Sequence, residues 1–330
     1  MSDDIVQAKA PRSWLGKAAV PLQWILKKDA GGILIALILL CVGISIAAPE
    51  FLGSYNLIVV ARQASFVGFL ALGQTLVLLL GGIDLSVGAS AGLSAIVGAL
   101  VLTQLGAPPI VALLLTVGFG FLLGLANGLF VSVLRLNPFI VTLASWEIFA
   151  GSTLVITHGY PVQPLGDAFH WYGGGSLFGV PMPVIFFLAV AIVLSWMLGY
   201  SRFGRNIYGI GGNREAARLV GIPAIRVEAI VYGLAGALAA VGGILYASRM
   251  DSAEPAVGED WLMGAITAAI IGGTSLRGGQ GTIFGTVLGT LLMAVLANGM
   301  TLLNVSGYWA RVVIGAVVLV AVLVDLLRRR

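Results

Sequence analysis

Charge is what this sequence has least of. Only 10% of its 330 residues are Asp, Glu, Lys or Arg, against 59% hydrophobic, where a soluble domain carries about 25% charged residues. Such a chain cannot cover itself with a water-compatible surface, so the composition implies a polytopic membrane protein. Cysteine is reduced to Cys41, inside the first apolar run, which excludes an intrachain disulfide and a cysteine-based metal site. The two histidines, His158 and His170, stand apart without metal-ligand spacing and read as surface residues. No GxxxxGKS/T phosphate loop is present, because the only Gly-Lys pair, Gly16-Lys17, is followed by Ala18. No Ser-His-Asp or paired-carboxylate arrangement can be assembled. We therefore expect no covalent chemistry, no cofactor and no metal in this chain. The formal net charge of +4 is no argument for a nucleic-acid partner, since the basic residues collect in loops.

What the chain has in abundance is apolar runs. A spanning helix needs about 20 apolar residues, and runs near that length fall at 32–49, 57–80, 87–104, 110–134, 139–157, 181–199, 227–247, 261–273, 283–303 and 309–327. The expected fold is all-α with about ten transmembrane helices, of which 261–273 is too short for a secure span. Orientation follows from Lys and Arg in short loops. Arg202, Arg205, Arg214, Arg218 and Arg226 share one loop with Glu215, and the chain closes Arg328-Arg329-Arg330. The stretch 158–180 has no Lys or Arg, and 248–260 sets Asp251, Glu254, Glu259 and Asp260 against Arg249. The expected organisation is a cytoplasmic tail over 1–31, one transmembrane domain over 32–327 with a cytoplasmic loop at 200–226, and a cytoplasmic end at 328–330. The tail carries Lys9, Arg12, Lys17, Lys27 and Lys28, with Trp14 and Trp24 placed for a membrane surface, and is not expected to be a cleavable signal. Arg62 and Arg311 fit the orientation poorly.

Two apolar runs are broken in the same way. Laying the chain on itself so that Gly81 meets Gly272 pairs GGIDLSVG (81–88) with GGTSLRGG (272–279). Gly81, Gly82, Leu85 and Gly88 then meet Gly272, Gly273, Leu276 and Gly279, with apolar runs on both sides. Lipid cannot satisfy the backbone groups a broken helix frees, so such breaks survive only inside protein or beside water. Corresponding breaks in two halves point to the translocation region of a transporter. The copies run parallel if every run spans, and inverted if 261–273 re-enters. Gly120, Gly124, Gly128 and Gly281, Gly285, Gly289, at four-residue spacing, read as helix-contact seams within the subunit or at a dimer interface.

The loop 202–236, RFGRNIYGIGGNREAARLVGIPAIRVEAIVYGLAG, carries a second signal. Gly211-Gly212-Asn213 gives a turn and an N-cap, and Arg214 to Val220 a short helix stopped by Gly221 and Pro223. A two-turn amphipathic helix in a basic loop is shaped for the groove of a partner protein; a solvated loop is the plain alternative. EAARLVG (Glu215 to Gly221) resembles the EAA-x-x-x-G loop of ABC-importer permeases. With GGIDLSVGA, NPFIVTLAS, GGNREAARLVGI, GGTSLRGGQGTIFGT and NGMTLLNVSGYW in order, the chain from about residue 55 onward resembles the ribose/xylose-type monosaccharide permeases of the branched-chain amino acid/sugar permease superfamily.

That resemblance implies a homodimeric inner-membrane permease, with cytoplasmic ATPase subunits binding ATP and Mg and a periplasmic sugar-binding protein delivering the solute. It implies a coupling helix made of Asn213, Arg214, Glu215, Ala216, Ala217, Arg218 and Gly221, and outward loops 158–180 and 248–260 that receive the binding protein. The chain departs from the family at Ala150, where relatives often carry a basic residue, and in the polar positions of 261–273.

The polar residues within apolar runs are the pathway candidates: Asp84, Ser86, Asn127, Thr142, Trp146, Glu147, Thr274, Ser275 and Asn298. Asp84 precedes a new helix, where a carboxylate can accept N–H groups; contact with sugar hydroxyls and proton coupling are the other readings. Ser275, its match in the second copy, is also a capping residue type, which favours the structural role. Glu147, an acid within a run and so costly to insert, is either a lining residue or bonded to a neighbouring helix. An ion-coupled transporter using Asp84 and Glu147 and a non-transporting scaffold are the rival functions.

Overall fold

A computed structural model describes residues 30–327 of the chain; the expected tail and the Arg328–Arg330 end lie outside the described residues. Thirteen helices and one two-stranded hairpin follow in order: α1 (Ala30–Ala47), a 3-10 turn (Pro49–Leu52), α2 (Ser54–Leu79), α3 (Val87–Thr103), α4 (Pro109–Ser132), α5 (Pro138–Thr157) and α6 (Asp167–Gly174). The hairpin is β1 (Ser176–Leu177) with β2 (Val180–Pro181), paired antiparallel. Then come α7 (Met182–Tyr200), α8 (Arg202–Gly212), α9 (Arg214–Leu219), α10 (Ala224–Met250), α11 (Trp261–Ile271), α12 (Ile283–Leu302) and α13 (Gly307–Leu327).

All ten apolar runs are helical, with bounds within a few residues of the expected ones. Among the described residues six helices are long and apolar enough to cross a membrane: α2, α4, α5, α7, α10 and α12. The apolar stretches Gly31–Ala47, Val87–Thr103, Trp261–Ile271 and Gly307–Val320 are shorter. The starts are chemically marked. Pro stands in the first turn of α4, α5 and α7, where its missing N–H costs nothing. Asn137, Ser201 and Thr282 cap α5, α8 and α12, accepting the N–H groups of Phe139, Gly204 and Gly285 at 2.9, 2.9 and 3.0 Å.

The core is organised around α10, which packs against α2, α3 and α4. The expected seam on α4 is real and internal: Gly120 lies on Gly236 and Ala240, Gly124 on Tyr232, and Gly128 on Ala229. In the second seam Gly285 meets Gly272 and Gly289 meets Ala268, joining α12 to α11, but Gly281 lies outside the helix. Small residues allow this backbone approach, and van der Waals contact then holds helices that gain nothing from hiding apolar surface from lipid.

The short α11 runs beside α2 in the same direction, with Gly264 at Val67 and, past the end of α11, Gly279 at Leu79. Each is followed by a break from which a helix returns, α3 in one copy and α12 in the other. The two copies therefore run in the same sense, although α11 has only 11 residues. Trp261 at the start of α11 stacks on Phe66 in the middle of α2, with centroids 6.4 Å apart, so α11 begins partway along its neighbour.

One expectation needs correction. Gly211-Gly212 is not a turn: both belong to α8, an 11-residue helix that buries Ile207 and Ile210 against the end of the bundle. Its apolar positions, Phe203, Ile207 and Ile210, follow helical spacing, but the interleaved glycines and arginines made it read as loop.

Candidate functional site

The two breaks are built on one plan. In the first, Gly81 N–H donates to Leu78 O at 2.8 Å and Gly82 N–H to Val77 O at 3.1 Å. In the second, Gly273 N–H donates to Ile270 O at 2.9 Å and Thr274 N–H to Ala269 O at 3.0 Å. Both are Schellman closures with the left-handed residue at the first donor: Gly81 at φ +80° and Gly273 at φ +87°. The closure thus aligns Gly81 with Gly273, one position beyond the sequence match with Gly272. After each closure a side chain accepts the N–H two residues on. Asp84 Oδ1 takes the Ser86 N–H at 2.8 Å and the Ser86 hydroxyl at 2.7 Å, and Ser275 Oγ takes the Arg277 N–H at 3.0 Å. Here the matched pair is Asp84 and Ser275, as the sequence aligned them. Neither residue caps the following helix in the strict sense: Asp84 organises the turn before α3, and α12 is capped by Thr282.

From Asp84 a buried polar chain crosses three helices. Asn127 Nδ2 donates to Ser86 Oγ at 2.8 Å, and the Ser145 hydroxyl donates to Asn127 Oδ1 at 2.5 Å. Gln74, with its amide turned to satisfy both atoms, bonds the Asp84 backbone, N to O at 3.1 Å and O to N at 3.3 Å. Asp84, Ser86 and Asn127 are almost wholly buried, and among the described residues no cation pairs with Asp84. The sequence brought out three members of this chain and missed Ser145 and Gln74; Ser145, one helical turn after Thr142 on α5, was the readable one.

The breaks meet. Gly279 N–H donates to Leu79 O at 2.9 Å, and Gly278 lies against Gly81. The C-terminal end of α8 covers this junction. A side chain on Gly211 would collide with the Leu79 carbonyl, and Gly212 lies against Gly279. The Tyr208 hydroxyl donates to Gly281 O at 2.9 Å; burial raises that hydroxyl above its ordinary range, so it remains a donor at physiological pH. A single helix therefore touches the second break and the Leu79 carbonyl at which the first break opens.

α8 runs straight into the expected coupling helix. Asn213 caps α9 by accepting the Ala216 N–H at 2.9 Å. Gly221, at φ +80°, closes it with the Schellman pair Gly221 N–H to Arg218 O and Ile222 N–H to Ala217 O, both 3.0 Å. Ala217 is buried beneath the helix, whereas Leu219 and Val220 stand exposed. Arg214 pairs with Glu228 on α10 at 2.8 Å.

The remaining candidates do not join this cluster. Thr274 and Ser275 are buried in the second break, and the Thr274 hydroxyl has no hydrogen-bond partner. Asn298 forms a reciprocal amide pair with Asn56, at 3.0 and 2.8 Å, clamping α12 to the start of α2. The Thr142 hydroxyl returns to Pro138 O on its own helix at 2.8 Å. Trp146 packs partly buried against the Ala89, Leu93 and Phe149 cluster. Glu147 is exposed on the outer side of α5 and has no ion-pair partner among the described residues. Gly88, expected in the first break, lies instead in the first turn of α3 and faces the 251–260 loop against Gly258.

At the opposite end the two expected outer loops form one cap. Val162 bridges Ala253, and Asp251 Oδ1 accepts the N–H groups of Leu165 and Gly166 at 2.8 and 2.9 Å. Ser248 ties α6 to α10 by donating to Phe169 O at 2.6 Å and accepting the Gly173 N–H at 2.9 Å. No group of His, Cys, Asp and Glu among the described residues could hold a metal ion.

A multi-pass helical bundle whose two breaks meet beneath one capped helix has the organisation of a transport subunit. The chain is a member of the family described as branched-chain amino acid transport system / permease component, which matches residues 56–322. It is 42% identical to the ribose import permease protein of Bacillus subtilis, covering 89% of this chain and 92% of that protein. It is 39% identical to the ribose import permease protein of Escherichia coli K12, covering 92% and 94%. The L-arabinose ABC transporter permease protein of Azospirillum brasilense is 33% identical, covering 91% and 88%. No solved structure matches the chain.

Proposed function

We propose that the chain is the inner-membrane permease of an ATP-driven importer for a monosaccharide of the ribose, allose and arabinose kind, the solutes named for its relatives. It works as a homodimer with two cytoplasmic ATPase subunits, which bind ATP and Mg, and with a periplasmic sugar-binding protein. All ten apolar helices belong to the bundle, α11 as a partial span, and both termini face the cytoplasm with α8 and α9. The α6 and 251–260 cap receives the binding protein, and α9 (Asn213 to Gly221) enters the ATPase.

The observation that carries this reading is the contact of α8 with the second break and with Leu79, where the first break opens. A push on α9 is delivered through Gly211 and Gly212 to the junction of Gly81 and Gly278. Coupling needs a rigid link between the partner surface and a bistable element, and the capped α8–α9 pair supplies it. Asp84 Oδ1, Ser86, Asn127 and Ser145 are bonded in one chain, which supports a role in holding the first break in shape. Glu147 is the pathway candidate the arrangement leaves open, because its outer face must be covered by a second permease or by water.

Glu215→Lys reverses the charge on the exposed side of α9, and Gly221→Leu forces a branched side chain into a left-handed position, at about 1–2 kcal/mol. Either variant should insert normally yet lose at least about tenfold of ATP-dependent sugar uptake, measured in cells or proteoliposomes with the ATPase and binding protein. Uptake that continues without the ATPase and collapses with a protonophore would replace this reading with an ion-coupled one.

A further inference from the structure

A cavity of about 590 Å³ opens beside α9, between the end of α4 and the start of α10. Arg135, Arg214, Arg218 and Arg226 line it, with Glu215 the single acid in its wall. Arg214 is engaged by Glu228; the other three arginines have no ion-pair partner among the described residues. Ser132, only 1% exposed, also lines the cavity, and its hydroxyl has no hydrogen-bond partner among the described residues. An unpartnered buried hydroxyl is costly unless something else completes it. Arg135 reaches the cavity from a left-handed backbone position, φ +54°, which is uncommon for a residue with a side chain.

Several arginines lining one cavity beside a buried hydroxyl are the chemistry of phosphate recognition: Arg offers paired N–H groups that match phosphate oxygens, and the hydroxyl adds a further donor. The surroundings specify the kind of phosphate. Ser132 is the last residue of one apolar helix and Ala224 the first of another, so the cavity lies where the bundle leaves its apolar zone. Ile225 in its wall is exposed, as are Val133, Leu134 and Leu136, which flank Ser132 and Arg135 in the chain and form its apolar rim on that side by sequence. A soluble phosphate has no use for that rim, whereas acyl chains do. Basic pockets between transmembrane helices on the cytoplasmic side are suited to anionic lipid headgroups.

We propose that this cavity binds the phosphate of an anionic glycerophospholipid, with Arg135, Arg218, Arg226 and the Ser132 hydroxyl as its donors and the chains along the apolar rim. The leaflet, though not the phosphate chemistry, rests on the orientation proposed above. Bound there, the lipid ties α9 to the roots of α4 and α10 and sets the position of the coupling helix.

The test uses the purified full-length permease in detergent, titrated with phosphatidylglycerol, with phosphatidylcholine of the same chains, and with inorganic phosphate. Phosphatidylglycerol should bind at least about tenfold more tightly than phosphatidylcholine, and millimolar inorganic phosphate should fail to displace it. Arg135→Gln with Arg226→Gln should weaken phosphatidylglycerol binding at least about tenfold, and Ser132→Ala by about two- to tenfold. Each variant's lipid-free unfolding midpoint is measured alongside as the folding control. Equal binding of the two lipids, or a folded double variant that binds phosphatidylglycerol like the parent, overturns the proposal. Displacement by low inorganic phosphate overturns the lipid as its source. The wild-type lipid and phosphate titrations decide the matter even if a variant does not fold. Because none of these readouts involves transport, their failure leaves the importer reading standing.

Discussion

The two breaks share a closure and a turn but differ in what completes them. The first, from Leu80 to Ser86, passes directly into α3, and its carboxylate is tied through Ser86, Asn127 and Ser145 to α4 and α5. The second, from Gly272 to Thr282, is longer. It strings Gly278, Gly279 and Gly281 at positive φ, makes polar contacts within itself through Ser275 and outward to the α2 backbone and to Tyr208 of α8, and leaves the Thr274 hydroxyl unpartnered among the described residues. One break is anchored by side chains that have few alternatives; the other is held by backbone bonds and a neighbouring helix. One plan is thus anchored unequally in the two copies of the repeat.

That comparison can be broken most forcefully at the place where α8 covers the junction of the breaks. Gly211→Val drives a side chain into the Leu79 carbonyl and the Gly279 N–H, an overpacking cost of about 3 kcal/mol or more. It should give the largest fall in unfolding midpoint of any variant here and abolish uptake. A stable, active Gly211→Val would mean that α8 is not held against the junction.

The next effect lies in the anchored break. Asp84→Leu strands the Ser86 N–H and hydroxyl in a buried site, at about 2 kcal/mol or more, whereas Asp84→Asn keeps an acceptor and should stay within about 1 kcal/mol. Unfolding midpoints of the two variants, read beside uptake, separate shape from charge: if Asn is as damaging as Leu, the carboxylate does more than organise the turn.

Smaller changes are expected in the second break. Ser275→Ala removes only the bond to the Arg277 N–H and should cost about 1 kcal/mol. Thr274→Val replaces an unpartnered buried hydroxyl with a methyl of similar shape, and its effect on the midpoint should be within about 1 kcal/mol of zero, toward stabilisation. A marked loss of transport by a stable Thr274→Val would identify that hydroxyl as a contact for the passing solute.

Much of the fold could be read in advance because its signals are local. Apolar runs marked the helices within a few residues, Asn213 and Gly221 marked both ends of α9, and GGIDLSVG and GGTSLRGG marked the breaks. The misses share a cause. α8 is short, and its burial depends on partners far along the chain, so Phe203, Ile207 and Ile210 stood out only weakly between glycines and arginines. Asn298, Thr142 and Glu147 were grouped with Asp84 because a polar residue in an apolar run carries no label for the side of the helix it faces. Rotation about the helix axis then sent Asn298 to Asn56 and Glu147 to the outer surface.

By itself the sequence determined where the chain is helical, where the helices stop, and which residues turn the corners, because hydropathy, capping and left-handed glycines act over a few residues. It also carried the family resemblance. Tertiary structure alone decided that the two breaks touch, that α8 covers their junction, that the copies run in one sense, and that Asp84 is completed by Asn127 and Ser145. Those outcomes depend on helices separated by many residues being brought within hydrogen-bonding reach, and close glycine-lined packing around α10 is what brings them there.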